Sequence, residues 1–245
     1  MSIYRELFYA KGKNHYTPQY EPQDPSAWPT EWITTYYKQY PRMPKIVLPD
    51  ETGVFDLFSA ITSRASDRVF SKQPLSLPEL AKLLKYSCGQ FTFQVDSETR
   101  TRRAYPSGGA RYPIEMYVLV FSGTTELPKG AYHYNVKEHV LEEVPYDRKL
   151  FADPTKIVIS DWSADASVML VMTGVFWRSE VKYRERGSWY TFLEAGHIGQ
   201  NIHLISKALG LKSVGLGGVW DDNLEKLLVL DTPREVPIHT IVIGK

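Results

Sequence analysis

The sequence predicts an α+β domain in which a sheet is flanked by helices. Helical and strand patterns are interspersed along its 245 residues, and hairpin-like connections occur beside longer crossovers. The sequence contains no internal repeat and no low-complexity segment. Because 43% of the residues are hydrophobic, a chain of this length can bury a substantial core.

Residues 1–50 predict an extended arm, and residues 51–245 predict a single domain. Proline is frequent in the arm, as in Tyr40-Pro41-Arg42-Met43-Pro44, and at this density it breaks regular elements. Tyrosine and tryptophan are also frequent there, so the segment is too aromatic for a free linker. We expect the arm to pack over the domain or over a partner subunit.

Four segments place apolar residues three or four positions apart, which predicts helices. The second follows Ser76 and ends at Gly89, and both residue types commonly cap helices. The third is the longest and is stopped by Gly210. The segments are residues 54–65 (with Val54, Leu57, Phe58 and Ile61), 77–88, 189–209 (with Phe192, Ala195, Ile198, Ile202, Ile205 and Leu209) and 222–228.

Apolar runs bounded by turn residues predict the strands. One pair forms a hairpin whose polar turn covers residues 135–138. The others are short runs rich in valine, isoleucine and leucine. The predicted strands are residues 114–121, the two arms of the hairpin 130–144, residues 168–173, 213–216 and 239–243.

Composition argues against several classes of function. The 29 basic residues are balanced by 28 acidic ones, so a surface suited to nucleic acid is not expected. The single cysteine, Cys88, cannot form an intrachain disulfide, and no zinc-binding spacing is present, so we expect no metal site. The longest apolar run, residues 168–177, is too short to span a bilayer, and no signal peptide is evident. A cytoplasmic globular protein is therefore expected.

The first candidate site lies at Arg64-Ala65-Ser66-Asp67-Arg68. Two guanidiniums four residues apart can lie on one helix face, and the serine adds a hydroxyl. Charged bidentate donors of this kind suit a phosphate group. The alternative is a solvated helix end with two ordinary arginines.

Two glycine-containing segments are candidates for contact with a flat ligand. Pro106-Ser107-Gly108-Gly109 offers small residues whose backbone N–H groups can approach closely. Gly215-Leu216-Gly217-Gly218 offers a second such loop. It is not a dinucleotide fingerprint, because Trp220 stands where the third glycine belongs. Both segments also fit the alternative of a plain turn.

Lys182 and Tyr183 form a candidate acid–base pair. A neighbouring ammonium lowers the pKa of a phenol and makes it a better base. Adjacent residues of a regular helix point about 100° apart, so both can serve one site only where the helix ends or bends. Gly187 supports such an ending. The alternative for this pair is an exposed, charged helix end.

His197 lies between small residues, Gly196 and Gly199, and is interpreted as a packing or interface residue rather than a catalytic one.

These segments, taken in order, resemble the SagB-type dehydrogenases, a branch of the nitroreductase-like flavoproteins. The resemblance covers nearly the whole chain. Arg64-x-Ser66-x-Arg68 is similar to the family's FMN-phosphate motif, although Ala65 stands where an arginine is common. Arg111 alters the middle motif at its variable position. The other matching segments are Trp28 to Pro49, Pro106 to Glu115 (the family's Pro-Ser-Ala-Gly-Ala-x-Tyr-Pro-x-Glu), Gly130 to Tyr134, Lys182 to Gly187 and Leu193 to Asn201.

The resemblance implies a nitroreductase-like fold with a central, mostly antiparallel sheet, and a homodimer with FMN at the subunit interface. It also implies oxidation of thiazoline and oxazoline rings in a ribosomally made precursor peptide to thiazoles and oxazoles, beside a cyclodehydratase. Lys182 and Tyr183 would carry the proton transfer, with hydride transfer to FMN N5 and reoxidation by dioxygen. Residues expected to bind FMN are Arg64, Ser66, Arg68, Pro106, Ser107, Gly108, Gly109, Gly215, Gly217 and Gly218.

Two other functions fit the same scaffold. One is an NAD(P)H-dependent nitro- or quinone reductase, which does not need the Lys182–Tyr183 pair. The other is a non-catalytic subunit that stabilises a peptide-modifying complex. The sequence identifies neither the precursor peptide nor a preference for thiazoline over oxazoline.

Overall fold

A computed structural model describes residues 24–245 and shows a seven-stranded sheet in the order β1-β6-β5-β4-β7-β9-β8. Every neighbouring pair in it is antiparallel, and a separate hairpin is formed by β2 and β3. The predicted mostly antiparallel sheet is therefore confirmed. The strands are β1 (Lys45–Val47), β2 (Gln90–Val95), β3 (Glu98–Arg103), β4 (Ile114–Val120), β5 (Gly130–Asn135), β6 (Val140–Glu143), β7 (Val168–Gly174), β8 (Lys212–Leu216) and β9 (Val236–Gly244).

Seven α-helices lie in the described part of the chain, and the longest, α6, has 23 residues. α3 shows how the sequence fixes a boundary, because Ser76 and Glu79 form a reciprocal capping box at its N-terminus. The helices are α1 (Thr30–Ile33), α2 (Leu57–Ser63), α3 (Leu77–Cys88), α4 (Arg148–Phe151), α5 (Trp177–Tyr183), α6 (Arg186–Ala208) and α7 (Asp221–Leu228).

Strand β4 is buried along its whole length, because helices cover both faces of the sheet. Its alternate residues point to opposite sides. Met116 and Val118 pack in a core with α3 and α6, whereas Tyr117 and Leu119 belong to a second core that includes α7. The predicted sheet flanked by helices is therefore confirmed.

The predicted helix over residues 54–65 is shorter than expected and differently packed. It covers only Leu57–Ser63, and Val54, Leu57, Phe58 and Ile61 are all exposed. Their helical spacing therefore marks a surface stripe rather than a core stripe. α2 nevertheless packs beside α6, so this stripe borders the longest helix.

The described part of the predicted arm contacts the domain at several points. Trp32 Nε1 donates to the carbonyl of Val181 at 3.1 Å, and Thr35 Oγ1 donates to the carbonyl of Ala110 at 3.3 Å. Lys38 forms an ion pair with buried Glu235. Residues 1–23 of the predicted arm lie outside the described residues, and the boundary at residue 50 stays a prediction.

A buried charged network crosses the sheet beneath the arm. His133 lies between two carboxylates, with Nε2 3.0 Å from Glu115 Oε2 and Nδ1 3.1 Å from Glu142 Oε2. Burial disfavours the imidazolium, but the two carboxylates outweigh it and raise the pKa of His133. Burial also disfavours charge on Glu115, yet Arg178 and His133 hold its pKa at about 2. The backbone N–H of Tyr40 donates to Glu142, so the network also fastens the arm.

No helix among the described residues has both the length and the apolar character needed to cross a membrane.

Candidate functional site

Lys182 and Tyr183 lie at a sharp break between two helices. α5 ends at Tyr183, and Arg184 follows with φ 51° and ψ −137° before α6 begins at Arg186. Gly187 permits the turn, because a Cβ there would lie 2.5 Å from the carbonyl carbon of Ser179. The break meets the condition under which adjacent side chains can serve one site.

Both side chains of the pair have aromatic neighbours. The ring of Tyr183 meets that of Tyr190 edge-on, with centroids 5.0 Å apart. Lys182 Nζ lies 3.7 Å from the ring centroid of Trp28 and 6.0 Å from that of Trp32. The arm therefore forms one wall of the candidate site.

The loop at Pro106–Gly109 packs directly against the pair. Gly109 has φ 59°, and a Cβ on it would lie 2.5 Å from Tyr183 Oη. A Cβ on Gly108 would lie 3.2 Å from the ring of Tyr190. The space that these glycines provide is thus used by side chains of the chain itself. The structure brings together Lys182, Tyr183 and the loop, which the sequence analysis took as two separate candidates.

Glu194 fixes the other side of this loop, and sequence reasoning did not select it as a site residue. Its Oε1 accepts hydrogen bonds from Ser107 Oγ at 2.9 Å and from the Gly108 N–H at 3.2 Å. It is 2% exposed, and burial raises its pKa to about 7, although the bonds from Ser107 and Gly108 act in the opposite direction. Its Oε2 is buried without a hydrogen-bond partner among the described residues.

A signal for Glu194 was present in the sequence. The buried stripe of α6 includes Thr191, Ala195 and Ile198, and Glu194 falls within it at helical spacing. An acidic residue on the core side of a helix is uncommon, because burying its charge is costly.

Arg64 belongs to a second cluster, at the other end of α6. It follows α2 in an extended conformation, with φ −60° and ψ 130°. His203 lies near it: burial lowers the pKa of this imidazole, and the charge of Arg64 lowers it further. His203 Nδ1 lies 2.9 Å from Ser213 Oγ, and the N–H of Asp67 donates to the carbonyl of Ser213.

The expectation that Arg64 and Arg68 share a helix face is wrong. α2 ends at Ser63, so both arginines lie in a non-helical segment beside β8. Ser66 and Arg68 are exposed in that segment, and Arg64 is partly buried. A phosphate at this place would be bound by a loop rather than by a helical face.

The third predicted segment is divided by the fold. Gly215 lies in β8, and a Cβ there would lie 3.5 Å from His239 Cε1 and 4.0 Å from His203 Nε2. Gly218 instead pairs with another loop, since its carbonyl accepts from Ile159 N–H at 2.8 Å. A Cβ on Gly217 would meet nothing within 4 Å. Only Gly215 therefore joins the Arg64 cluster directly.

The two clusters are separated along one helix. Glu194 and His203 are nine residues apart on α6, which corresponds to about 13 Å. Among the described residues, the Glu194 cluster and the Arg64 cluster therefore remain two separate sites within one chain. Phe192 and Leu193, just before Glu194, and His197, between Glu194 and His203, are exposed on this helix.

The single cysteine, Cys88, is buried and lies outside both clusters. Burial raises the pKa of the Cys88 thiol to about 12, which leaves it unreactive as a thiolate at neutral pH. Within residues 24–245, no group of three histidine, cysteine or acidic side chains is arranged to hold a metal ion.

The fold and the order of these residues identify the family. Residues 61–245 match the model of the nitroreductase family. The chain therefore belongs to that family, and the predicted fold class is confirmed.

Three known proteins are similar in sequence to the chain. The nitroreductase-like protein MJ1384 of Methanocaldococcus jannaschii is 29% identical over 82% of this chain and 96% of its own length. The trifolitoxin-processing protein TfxB of Rhizobium leguminosarum is 32% identical over 70% of this chain and 48% of its own. The microcin B17-processing protein McbC of Escherichia coli is 30% identical over 68% and 61%. The last two confirm the resemblance to the SagB-type branch.

Solved structures agree with this assignment. A nitroreductase-like protein of Ralstonia eutropha has a TM-score of 0.63, at 24% identity, over 87% of this chain and 94% of its own. A chain of the E. coli microcin synthetase complex McbBCD, solved with truncated pro-MccB17 bound, gives 0.58 at 25% identity over 80% and 76%. A Desulfovibrio desulfuricans protein solved with FMN gives 0.50 at 16% identity over 78% and 86%, which shows the fold alone.

We expect Gly109→Ala to destabilise the site and Gly108→Ala to be tolerated. The first change strains a left-handed backbone and places a Cβ 2.5 Å from Tyr183 Oη. We expect it to cost about 1–3 kcal/mol of unfolding free energy. The second meets the ring edges of Tyr190 at 3.2 Å and of Tyr183 at 3.6 Å, without a left-handed backbone. Chemical denaturation and the near-ultraviolet circular dichroism of the tyrosines measure both effects, and equal stability of the two variants would contradict the Gly109–Tyr183 contact.

We expect Glu194→Gln to become more stable than the wild type as the pH rises. The pKa of Glu194 is about 7 in the folded protein, above the value near 4.5 of an unperturbed carboxyl. Its contribution to stability is therefore complete below pH 4.5 and is lost as the pH rises through 7. The amide stays neutral, so the difference should grow by up to about 3 kcal/mol over that window. Urea denaturation at several pH values measures it, with exposed Glu126→Gln as control; a pH-independent difference would show that Glu194 does not titrate in this window.

Proposed function

We propose that this protein is an FMN-dependent dehydrogenase that oxidises thiazoline or oxazoline rings in a ribosomally made peptide to thiazoles or oxazoles. The observation that carries the proposal is the contact of Tyr183 with Gly109 beside Lys182. A phenol held beside an ammonium in a protein of this family has the groups that proton removal needs.

The named relatives support the same substrate class. TfxB and McbC are processing proteins of trifolitoxin and microcin B17, and both align over more than two thirds of this chain. The chain spans about half of TfxB and 61% of McbC, so substrate and partners are transferred here as proposals. We propose a precursor peptide with azoline rings as the substrate. We also propose a cyclodehydratase complex as the partner, since a ring must be formed before it is oxidised.

Conversion of an azoline to an azole removes a proton from one ring carbon and a hydride from its neighbour. Tyr183, as the phenolate, takes the proton, and the positive charge of Lys182 stabilises the phenolate before the transfer. The rings of Trp28 and Tyr190 lie beside the two reacting groups. FMN, when bound, supplies the two-electron acceptor at N5, and dioxygen is the final oxidant.

The Arg64 cluster fits the phosphate of FMN in its chemistry. Arg64, Ser66 and Arg68 offer two guanidiniums and a hydroxyl from one segment. The neighbouring His203 and His239 have pKa values lowered by burial, so a phosphate would meet neutral imidazoles that can be protonated as it binds. Gly215 keeps the backbone of β8 free of a side chain at this point. Gly217, Gly218 and the Pro106–Gly109 loop are the proposed contacts of the flavin ring.

We propose that the protein is a homodimer formed through α2 and α6. Phe58 is 76% exposed, and Phe192 and Leu193 are 54% and 59% exposed on a face of α6. Large exposed apolar side chains that lie side by side, as Phe192 and Leu193 do, mark a candidate interface. They lie on α6 next to Glu194. A second copy docked there would bring one cluster of each subunit toward a shared FMN.

A nitro- or quinone reductase is the second candidate. The family model and the relative MJ1384 favour it, since both carry nitroreductase names. Such an enzyme takes its electrons from NAD(P)H and has no use for Tyr183 as a base. The source of the reducing electrons therefore separates the two functions.

We expect a thiazoline peptide, and not NADH, to bleach the flavin absorbance of the wild type in stopped-flow mixing. Lys182→Ala and Tyr183→Phe should keep FMN bound but lose bleaching by at least about a hundredfold, because general-base catalysis is removed. Tyr190→Phe, which keeps the ring and is not the proposed base, is the matched control. Bleaching by NADH alone would establish the reductase, and wild-type bleaching in Tyr183→Phe would remove that residue from proton transfer.

We expect Arg64→Ala and Phe192→Asp to lose FMN for different reasons. The first removes a phosphate partner and should leave the dimer intact. The second buries a charge in the proposed interface and should release both the partner subunit and FMN. Light scattering gives the oligomeric state, and the flavin absorbance after gel filtration gives occupancy. A monomeric wild type, or a monomeric Phe192→Asp that retains FMN, would contradict binding at the interface.

A further inference from the structure

Arg111 is a buried cation that joins the Gly109 loop to the arm. Its Nε donates to the carbonyl of Gly109 at 3.1 Å. Its Nη1 and Nη2 donate to the carbonyls of Glu31 and Thr34, each at 2.5 Å. The residue is only 1% exposed, so one buried guanidinium connects three backbone positions.

The positive charge of Arg111 has no carboxylate beside it in the described structure. All three of its hydrogen-bond acceptors are neutral carbonyls, and it forms no ion pair within residues 24–245. Burying an arginine without an ion-pair partner costs desolvation free energy, which its hydrogen bonds only partly offset. Burial lowers the pKa of Arg111, and the nearby phenols of Tyr183 and Tyr36 act in the opposite direction.

The backbone that Arg111 grips is strained. Gly109, Ala110 and Tyr112 all have positive φ, at 59°, 53° and 47°. Side-chain-bearing residues in this conformation persist only where their surroundings hold them. Glu194 holds the loop from one side through Ser107, and Arg111 holds it from the other through Gly109.

The hydrogen bond from Arg111 to Gly109 also limits the distance between the guanidinium and the phenol oxygen of Tyr183. The Cβ position of Gly109 is 2.5 Å from Tyr183 Oη, and the carbonyl of Gly109 is 3.1 Å from Arg111 Nε. Since standard backbone geometry connects the two contacts within one residue, the phenol oxygen lies within about 9 Å of the guanidinium. A charge at this distance acts on the ionisation of a partly buried phenol.

We propose that Arg111 is a positioning residue for Tyr183: it fixes Gly109 against the phenol, and its uncompensated charge favours the ionised form. The proposal rests on the proposed role of Tyr183 as a base. Among the described residues, the titratable groups near Tyr183 include Lys182, Tyr190 and, across the loop at Gly108, Glu194. Lys182 also approaches the loop, with its Cδ 3.4 Å from the Cβ position of Gly109, so Arg111 adds a second cation to this side.

Arg111 also lies within the motif on which the resemblance is based. Arg111 stands at the variable position of the Pro-Ser-Ala-Gly-Ala-x-Tyr-Pro-x-Glu motif, between Ala110 and Tyr112. A second cation beside the Lys182–Tyr183 pair is therefore supplied by the residue that the motif leaves open.

The test is a titration of Tyr183 in the cofactor-free protein. Subtracting the phenolate absorbance of Tyr183→Phe from that of the wild type isolates the ionisation of this residue. The same subtraction is made in the Arg111→Gln and Arg111→Lys backgrounds. We expect Arg111→Gln to move the midpoint upward by about one pH unit, which is about tenfold less phenolate at a fixed pH below it. Arg111→Lys, which keeps the charge, should move it by less than half as much.

Thr35→Val is the matched control, because it removes the hydroxyl hydrogen bond to the carbonyl of Ala110 in the same junction without changing a charge. Its midpoint should equal that of the wild type. An unchanged midpoint in Arg111→Gln would overturn the proposal, and so would equal shifts in the glutamine and lysine variants. If Arg111→Gln does not fold, Arg111→Met, which is also uncharged, gives the same comparison.

Turnover of a thiazoline peptide separates this proposal from the proposed function. If the function is correct, the rising limb of the kcat–pH profile should move upward in Arg111→Gln along with the titration midpoint. A shifted titration in a protein whose wild type does not oxidise the peptide would leave the effect of Arg111 intact and reject the azoline dehydrogenase. An unshifted titration in an active wild type would reject the effect of Arg111 alone.

Discussion

The contact between Gly109 and the phenol of Tyr183 is the constraint on which the candidate site depends. It requires a residue without a Cβ at a left-handed position, and it requires α5 to end at the residue that carries the phenol. The first condition is met by the loop and the second by the break at Arg184. Neither element would hold this arrangement alone, because the loop backbone is strained. The buried side chains on its two sides, Glu194 and Arg111, are what keep it in place.

α6 relates this site to the rest of the molecule. One face of the helix is packed into the core and carries Glu194 to the loop, whereas its C-terminal half brings His203 to Arg64. A second face is apolar but exposed at Phe192 and Leu193. A helix that is apolar on two faces is typical of one that is buried on both. The exposed face is thus the physical reason for proposing a dimer.

Local patterns in the sequence predicted most of the fold. The hairpin over residues 130–144 and the helix that starts after Ser76 have strong turn and capping residues, which act over a few positions. Strand β3 was missed because its sequence, Glu-Thr-Arg-Thr-Arg-Arg, has no apolar alternation. β3 lies outside the main sheet and is mostly exposed, so it does not need an apolar face. The helix predicted to carry Arg64 and Arg68 on one face ends at Ser63, because tertiary contacts with β8 hold the following segment.

The site was predictable only in part, for a different reason. Motif order selected Lys182, Tyr183 and the Pro106–Gly109 loop, and the fold places them together. The meeting of His203 with His239 near Gly215 depends on the pairing of β8 with β9 and on the packing of α6 beside them. No spacing along the chain encodes such a meeting. For Glu194, the helical spacing of α6 indicates burial, but the meeting of its carboxylate with Ser107 depends on the fold.

The arm adds a constraint that the family match does not include. The match begins at residue 61, yet Trp28 covers the ammonium of Lys182, and the carbonyls of Glu31 and Thr34 take two of the hydrogen bonds of Arg111. A wall of the candidate site therefore comes from a segment outside the shared domain. Lys182 and Tyr183 lie within the matched residues, whereas the shape of the space beside Lys182 depends on the arm, which lies outside them. Under the proposed function, selection among peptides is expected to follow the arm rather than the loop, because the arm supplies aromatic surface next to Lys182.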